Sequence, residues 1–324
     1  MDERRESLAP GDDPELLAVA ARLRADRWTA EVVATLHAAG VEPVLLKGPV
    51  VRRWLYADDP QARTYHDVDL LVAPHDQARA EAVLDRLGFV PRSPSLPGEW
   101  TSHADPWIRA RDGAEIDLHR CLHGTESVPR ALVWSAVHRR LETMVVEGVE
   151  VRVPDEVVRT LHVGLHVDAQ DAAGSSPRAD LERAVRMVDG ETWQLAADMA
   201  RELDIEAELA TRLRESPAAA TLVADLDLAA GADPRFEFRR AVRDSGAGPG
   251  AYTVERFSEL HGVDRLQYAM RKALPPPSVL RNWSPLATRG PFGLVGAYIA
   301  RVLWCLGRVP VALVEWLRVR RRLR

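Results

Sequence analysis

The chain has 324 residues, 46% hydrophobic and 28% charged, the composition of folded globular material rather than of a disordered or fibrous chain. A net charge of −5 excludes a global basic field that would draw the protein to nucleic acid. Two cysteines, Cys121 and Cys305, exclude a disulfide framework and fit a reducing, cytoplasmic setting, and from the polar, acidic start Met1–Glu6 no signal peptide is expected.

Residues 1–14, with Pro10-Gly11 and scattered charge, are expected to be disordered. Glu15 to about Ala39 has amphipathic helical spacing and stops at Gly40. Val41–Leu46 reads as a short buried strand. Pro49 fits the first position of a helix running to about Tyr56, ended by Asp58-Asp59-Pro60. Asp67–Val72 reads as a strand, Pro74–Leu87 as a helix closed by Gly88, residues 88–92 as a short strand and Pro91–Gly98 as a loop. Trp107–Arg111 and Ala114–His119 flank Asp112-Gly113, the pattern of a type I′ hairpin. In its second arm Glu115, Asp117 and His119 share one face, and Ile116 and Leu118 the other. Val145–Val153 adds strand character around Glu147-Gly148. From Pro154 the spacing predicts helices over 154–168, 178–188, 191–204, 206–216 and 217–230, with loops at Asp171–Pro177 and Ser245–Pro249 and a break at Pro275-Pro276-Pro277. The expected domains are 15–153, mixed α and β; 154–274, helical; and 275–324, an apolar and basic helical tail.

Asp67 and Asp69 stand at i, i+2 on a predicted strand, so both carboxylates point to one face. Ionised carboxylates on a strand that enters a core are costly unless something pairs with them. Side by side they are the ligand set of a hard divalent cation, above all Mg2+ carrying substrate phosphates. Asp117 on the hairpin would complete that set and take the proton of an attacking hydroxyl. Of 43 basic residues only Lys47 and Lys272 are lysine, so a compact ammonium is wanted at Lys47, where it would neutralise a phosphate oxygen. Gly48 lets the backbone approach a ligand, the helix after it offers free N–H groups, and Arg63 would clamp a further phosphate oxygen.

Taken together, Val44-Leu45-Leu46-Lys47-Gly48, Arg63, Asp67-Val68-Asp69-Leu70-Leu71-Val72 and Ile116-Asp117-Leu118-His119 resemble the uncharacterised nucleotidyltransferase family of the polymerase-β-like nucleotidyltransferase superfamily. The resemblance extends over roughly residues 15–240, with the specific motifs in 44–119. It implies an α+β fold, a small mixed β-sheet with flanking helices followed by a mainly helical part. It also implies two Mg2+ ions, metal ligands at Asp67, Asp69 and Asp117, and a nucleoside triphosphate such as ATP. The sequence departs from the wider superfamily in one place: Lys47-Gly48-Pro49 stands where Gly-Ser is usual. The leading expectation is transfer of a nucleoside monophosphate to an acceptor (small molecule, peptide or RNA), by in-line attack on the α-phosphorus with release of pyrophosphate. Two alternatives are a catalytically silent nucleotide-binding or interaction module, and transfer of another group to a modified peptide or sugar at the same metal site.

Other patterns compete. His119, Cys121 and His123 fall at strand spacing and with Asp117 would make a zinc set, although the strand is expected to end near Cys121. His162 and His166 have the i, i+4 spacing of a zinc peptidase, but Val163 stands where its glutamate would be, which favours a packed pair. Asp180 and Arg183 begin a helix, either facing the cleft or with Asp180 simply complementing the helix start. Pro291–Leu317 is apolar but interrupted by Arg301, Arg308 and Pro310, so no transmembrane span is expected. With Trp304, Trp316 and the basic end Arg318–Arg324, residues 291–324 are expected either to lie peripherally on an anionic membrane or to pack as helices with a solvated tail.

Overall fold

The computed structural model describes residues 14–92, 103–167, 176–228, 234–248, 250–275 and 277–323. The expectations for residues 1–13, for the loop from 93 to 98 and for residues 171–175 lie outside the described residues. Those up to Arg92 and from His103 to Leu228 form one compact unit, and those from Pro234 onward another.

In the first unit, α1 (Pro14–Ala38) buries Ala25, Trp28, Val32, Val33 and Leu36, a one-sided helical spacing. Gly40, at φ +72°, closes it: the Val41 N–H reaches back to the Leu36 carbonyl and the Gly40 N–H to that of His37, both at 2.9 Å. There follow β1 (Val44–Leu45), α2 (Pro49–Leu55), β2 (Val68–Leu71), α3 (Gln77–Arg86), β3 (Val90–Pro91), β4 (Ala104–Arg109), β5 (Ala114–His119), α4 (Arg130–His138), β6 (Leu141–Val146) and β7 (Val149–Pro154). The strands form one seven-stranded sheet in the order β3-β4-β5-β2-β1-β7-β6. It is mixed, since β1–β7 and β2–β5 pair in parallel and the other neighbours antiparallel. The fold is therefore α+β, as expected. Helix α4 was not read from the sequence; it buries only Val133, Ala136 and Val137.

The hairpin at Asp112-Gly113 is not the expected type I′ turn. Arg109 pairs directly with Ala114, so Ala110–Gly113 make the connection, and among them only Gly113 has positive φ, whereas type I′ needs it at both central residues. The reason is Arg109, 2% exposed: Asp112 and Glu31 hold its guanidinium at 2.8 and 2.7 Å, and it lies 4.5 Å from the Phe89 ring centre. Asp112 is thus a counter-ion first and a turn residue second. The two-residue geometry occurs instead at Glu147-Gly148, both at positive φ, between paired Val146 and Val149.

Alternation along the strands sorts the two sheet faces. Leu45, Val68, Leu70, Val72, Ile116 and Leu118 join the core under α1 and α3. Val44, Leu46 and Leu71 join a second core, with α2, α4, α5 (Glu156–His166), α6 (Ser176–Met187), α7 (Gly190–Glu202), α8 (Glu206–Glu215) and α9 (Leu222–Asp225). Asp67, Asp69, Asp117 and His119 alternate with the first set and so face the second side. Within the second core a Cβ on Gly164 of α5 would lie 2.9 Å from Leu209 Cδ1 and 3.6 Å from the Trp193 ring, so a glycine lets α5 seat against α7 and α8. Of the helix expected over 217–230, the described residues form turns over 217–221 and then α9, after which Asp227 takes φ +48°.

The second unit holds α10 (Pro234–Asp244), α11 (Gly250–Glu259), α12 (Gly262–Ala273), α13 (Pro277–Trp283), a 3-10 turn (Pro285–Thr288) and α14 (Gly290–Arg322). Helix α14 runs for 33 residues straight through Pro310, where the sequence suggested an interruption. On one face Val319 joins Phe238, Val242 and Ala251, and Ala297 joins Leu280 and Ala287. On the other, Phe292, Val295, Ile299, Leu303, Leu306, Val309, Leu313 and Leu317 are exposed. Their steps of three and four residues make one apolar stripe along the helix. By length and composition the helix is long and apolar enough to cross a membrane, with mean hydropathy 1.5 over an 18-residue window. Arg301 and Arg308 interrupt the apolar run but lie over the Trp304 ring, at 4.8 and 5.4 Å.

Candidate active site

The parallel register of β2 and β5 makes Asp69 and Asp117 direct neighbours, and Asp67 precedes Asp69 on the same face. Asp69 is buried, and its Oδ1 accepts a hydrogen bond from Lys47 Nζ at 2.7 Å. The same oxygen lies 2.9 Å from Nε2 of His119, which is fully buried at the end of β5. One ligand atom from each of Asp69, Asp117 and His119 falls within 4.8 Å of the others.

The three carboxyls differ electrostatically. Burial alone would raise Asp69, but the Lys47 ammonium and the His119 hydrogen bond hold it well below the ordinary carboxylate range. Asp67 and Asp117 are pushed up, first by burial and then by the charge of Asp69. One fixed anion therefore stands between two carboxyls that its charge disfavours. Such a set of hard oxygen donors fits Mg2+, whose charge would relieve the repulsion.

A cavity of about 240 Å³ opens on this face, lined by Lys47, Gly48, Asp67 and Asp69 on the sheet side, Arg63 and Tyr65 from the preceding loop, His162 and His166 of α5 and Asp180 of α6. Asp117, beside Asp69, is not part of that lining. Gly48 has φ +61°, and a Cβ there would sit 3.2 Å from the Tyr65 ring, whose hydroxyl donates to Asp26 at 2.6 Å. The glycine thus admits the Tyr65 ring against the backbone, and the seven-residue α2 follows it. Burial holds His162 and His166 well below the usual imidazole range, so both rings are neutral; they meet edge-on at 5.7 Å.

Lys47 and Arg63 both reach the cavity, each with an acidic partner. Arg63 Nε donates to the two Asp180 oxygens at 2.9 and 3.1 Å, and the Tyr56 hydroxyl donates to Asp180 at 2.9 Å. Asp180 is therefore no helix cap; it lies buried within α6, facing the cleft. Arg183 donates to the Leu55 carbonyl, pairs with Asp58 and covers the Tyr56 ring at 4.6 Å, tying α6 to the end of α2. Sequence reasoning missed the Arg63–Asp180 pair, because no local spacing links residues 117 apart. His119 was legible through the Asp117-x-His119 alternation, but its bond to Asp69 was not.

The zinc set of His119, Cys121 and His123 does not form. Burial pushes the Cys121 thiol up to about 12, and His123 turns toward His103, with 3.2 Å between their Nδ1 atoms. Glu115, on the Asp117 face, pairs with Arg92 instead of joining the site.

The family model described as uncharacterised nucleotidyltransferase matches residues 15–217, in agreement with the motifs read from the sequence. Among solved structures, the crystal structure of an antigenic nucleotidyltransferase-like protein from Paracoccidioides brasiliensis is similar at 12% identity and a TM-score of 0.33, covering 58% of this chain and 91% of that one. No curated protein matches the chain.

Proposed function

Since the chain belongs to the uncharacterised nucleotidyltransferase family, we propose that it is a Mg2+-dependent enzyme moving a nucleoside monophosphate from a triphosphate to an acceptor, with release of pyrophosphate. The observation that carries this reading is the grouping of Asp67, Asp69 and Asp117 on one sheet face, with Asp69 kept ionised by Lys47 and His119. Asp67, Asp69 and Asp117 would hold Mg2+, which when bound would supply charge neutralisation for the triphosphate oxygens. Lys47 orients Asp69 with one of its three N–H donors and turns the others to a phosphate oxygen. Gly48 lines the same cavity, so its backbone would face that phosphate. Asp117 takes the acceptor's proton; a carboxyl raised by burial and by Asp69 suits that role better than an ordinary one. Arg63, through Asp180, fixes the cavity wall. Neutral His162 and His166 line the cavity without repelling a cation.

Incubated with each of the four triphosphates, Mg2+ and a panel of hydroxyl and phosphate acceptors, the chain should release pyrophosphate. Turnover indifferent to removal of Mg2+ would overturn the reading.

For α14 we propose a peripheral role on the cytoplasmic face of an anionic membrane. Its exposed apolar stripe and its last turn, Arg320-Arg321-Arg322, match a helix lying in the interface plane. The full chain should sediment with vesicles containing phosphatidylglycerol at low salt, and I299E/L303E/L306E should stay in the supernatant. Wild-type chain left in the supernatant would contradict the proposal.

A further inference from the structure

A second cluster of metal-ligating side chains lies beyond the carboxylates. His103 stands at the entry to β4, and His123 and Glu126 lie between β5 and α4. The His103 and His123 Nδ1 atoms are 3.2 Å apart, and Glu126 Oε1 is 3.6 Å from the first and 3.9 Å from the second. A point equidistant from three atoms so spaced lies about 2.1 Å from each, inside the roughly 2.0–2.2 Å of zinc bonds to nitrogen and carboxylate oxygen.

The backbone holds the three in place. The His103 carbonyl accepts the Arg120 N–H at 2.8 Å. Gly124, at φ +83°, folds the segment back and gives its N–H to Glu126 Oε1 at 3.2 Å, which orients the carboxylate. The two rings face each other through Nδ1 at 3.2 Å, so at least one of these nitrogens carries no proton and offers its lone pair. Two neutral rings facing each other through Nδ1 can share one proton; a cation uses both lone pairs at once.

We propose that His103, His123 and Glu126 bind a divalent transition metal of the zinc class, with water in the fourth position. Two imidazoles and one carboxylate make a borderline donor set, unlike the all-oxygen set of Asp67, Asp69 and Asp117. The metal would act structurally, pinning the segment after β5 to the start of β4. The His103 ring lies 5.2 Å from that of His119, the partner of Asp69, so the clamp stands directly behind the carboxylates. This inference goes beyond nucleotidyl transfer and does not depend on it.

The full chain, stripped with a chelator, is titrated with Zn2+ against a chromophoric competitor, and separately with Co2+ to follow its visible bands. The expected result is one tightly bound equivalent, weakened at least about 100-fold in each of H123Q and E126Q and unchanged in D117N. The cobalt bands should fade in the same two variants. Absence of tight binding, equal affinity in H123Q, or loss confined to D117N would overturn the site. Should H123Q fail to fold, H103Q decides in the same way, because that partly exposed ring sits at the edge of the cluster.

Discussion

Asp117→Asn should lower pyrophosphate release about 10³-fold, the size of several kcal/mol of lost charge stabilisation, while leaving the fold no less stable. Asp117 is raised by burial and by the charge of Asp69, so its ionised form is a burden on the folded chain. Asparagine keeps the shape, removes that repulsion, and removes both an oxygen ligand and the proton acceptor. Asp69→Asn should match it in activity and differ in stability. Asp69, itself buried, is the counter-ion of half-buried Lys47 and the partner of His119, so its loss should cost about 1–3 kcal/mol in a denaturant titration. If the two variants lost stability equally, Asp69 would not be the anchor of the site. If D117N kept full turnover, Asp117 would have no part in the chemistry.

Arg63→Leu should destabilise the chain by about 3–5 kcal/mol, because it leaves the Asp180 carboxylate buried without its cation. The Tyr56 hydroxyl is then its remaining hydrogen-bond donor of the two that hold it. R63L/D180L should be clearly milder than R63L, since removing both charges leaves nothing uncompensated. The loss in R63L should also depend on pH. Asp180 is already raised by burial even with Arg63 beside it, and without the guanidinium it should rise further. A carboxyl that holds its proton more firmly folded than unfolded loses stability as pH rises through that window. The variant should therefore recover part of its loss at mildly acid pH. Equal loss in single and double variants, at every pH, would mean that Arg63 acts through something other than Asp180.

Much of the site was legible because it rests on local periodicity. Asp67 and Asp69 alternate with Val68, Leu70 and Val72, and Asp117 and His119 with Ile116 and Leu118, so one face of two strands could be read directly. Gly40 and Pro49 marked helix boundaries through backbone rules that act within a few residues. The rest depends on contacts far apart in sequence. The turn at Asp112-Gly113 was misread because Arg109, through Glu31 and Phe89, decides what Asp112 does. The pairing of Arg63 with Asp180, of His103 with His123 and of Lys47 with Asp69 leaves no spacing signal either. Helix α14 runs on through Pro310, which the sequence alone marked as an interruption.

Binding of a triphosphate with Mg2+ by Asp67, Asp69 and Asp117, as proposed, can be tested without knowing the acceptor. Calorimetric titration of the full chain with ATP, CTP, GTP and UTP, with Mg2+ and with chelator, measures it directly. At least one triphosphate should bind with a stoichiometry of one only when Mg2+ is present, and D67N/D69N should abolish that binding. Failure of all four to bind in Mg2+, or binding unchanged in D67N/D69N, would contradict the account.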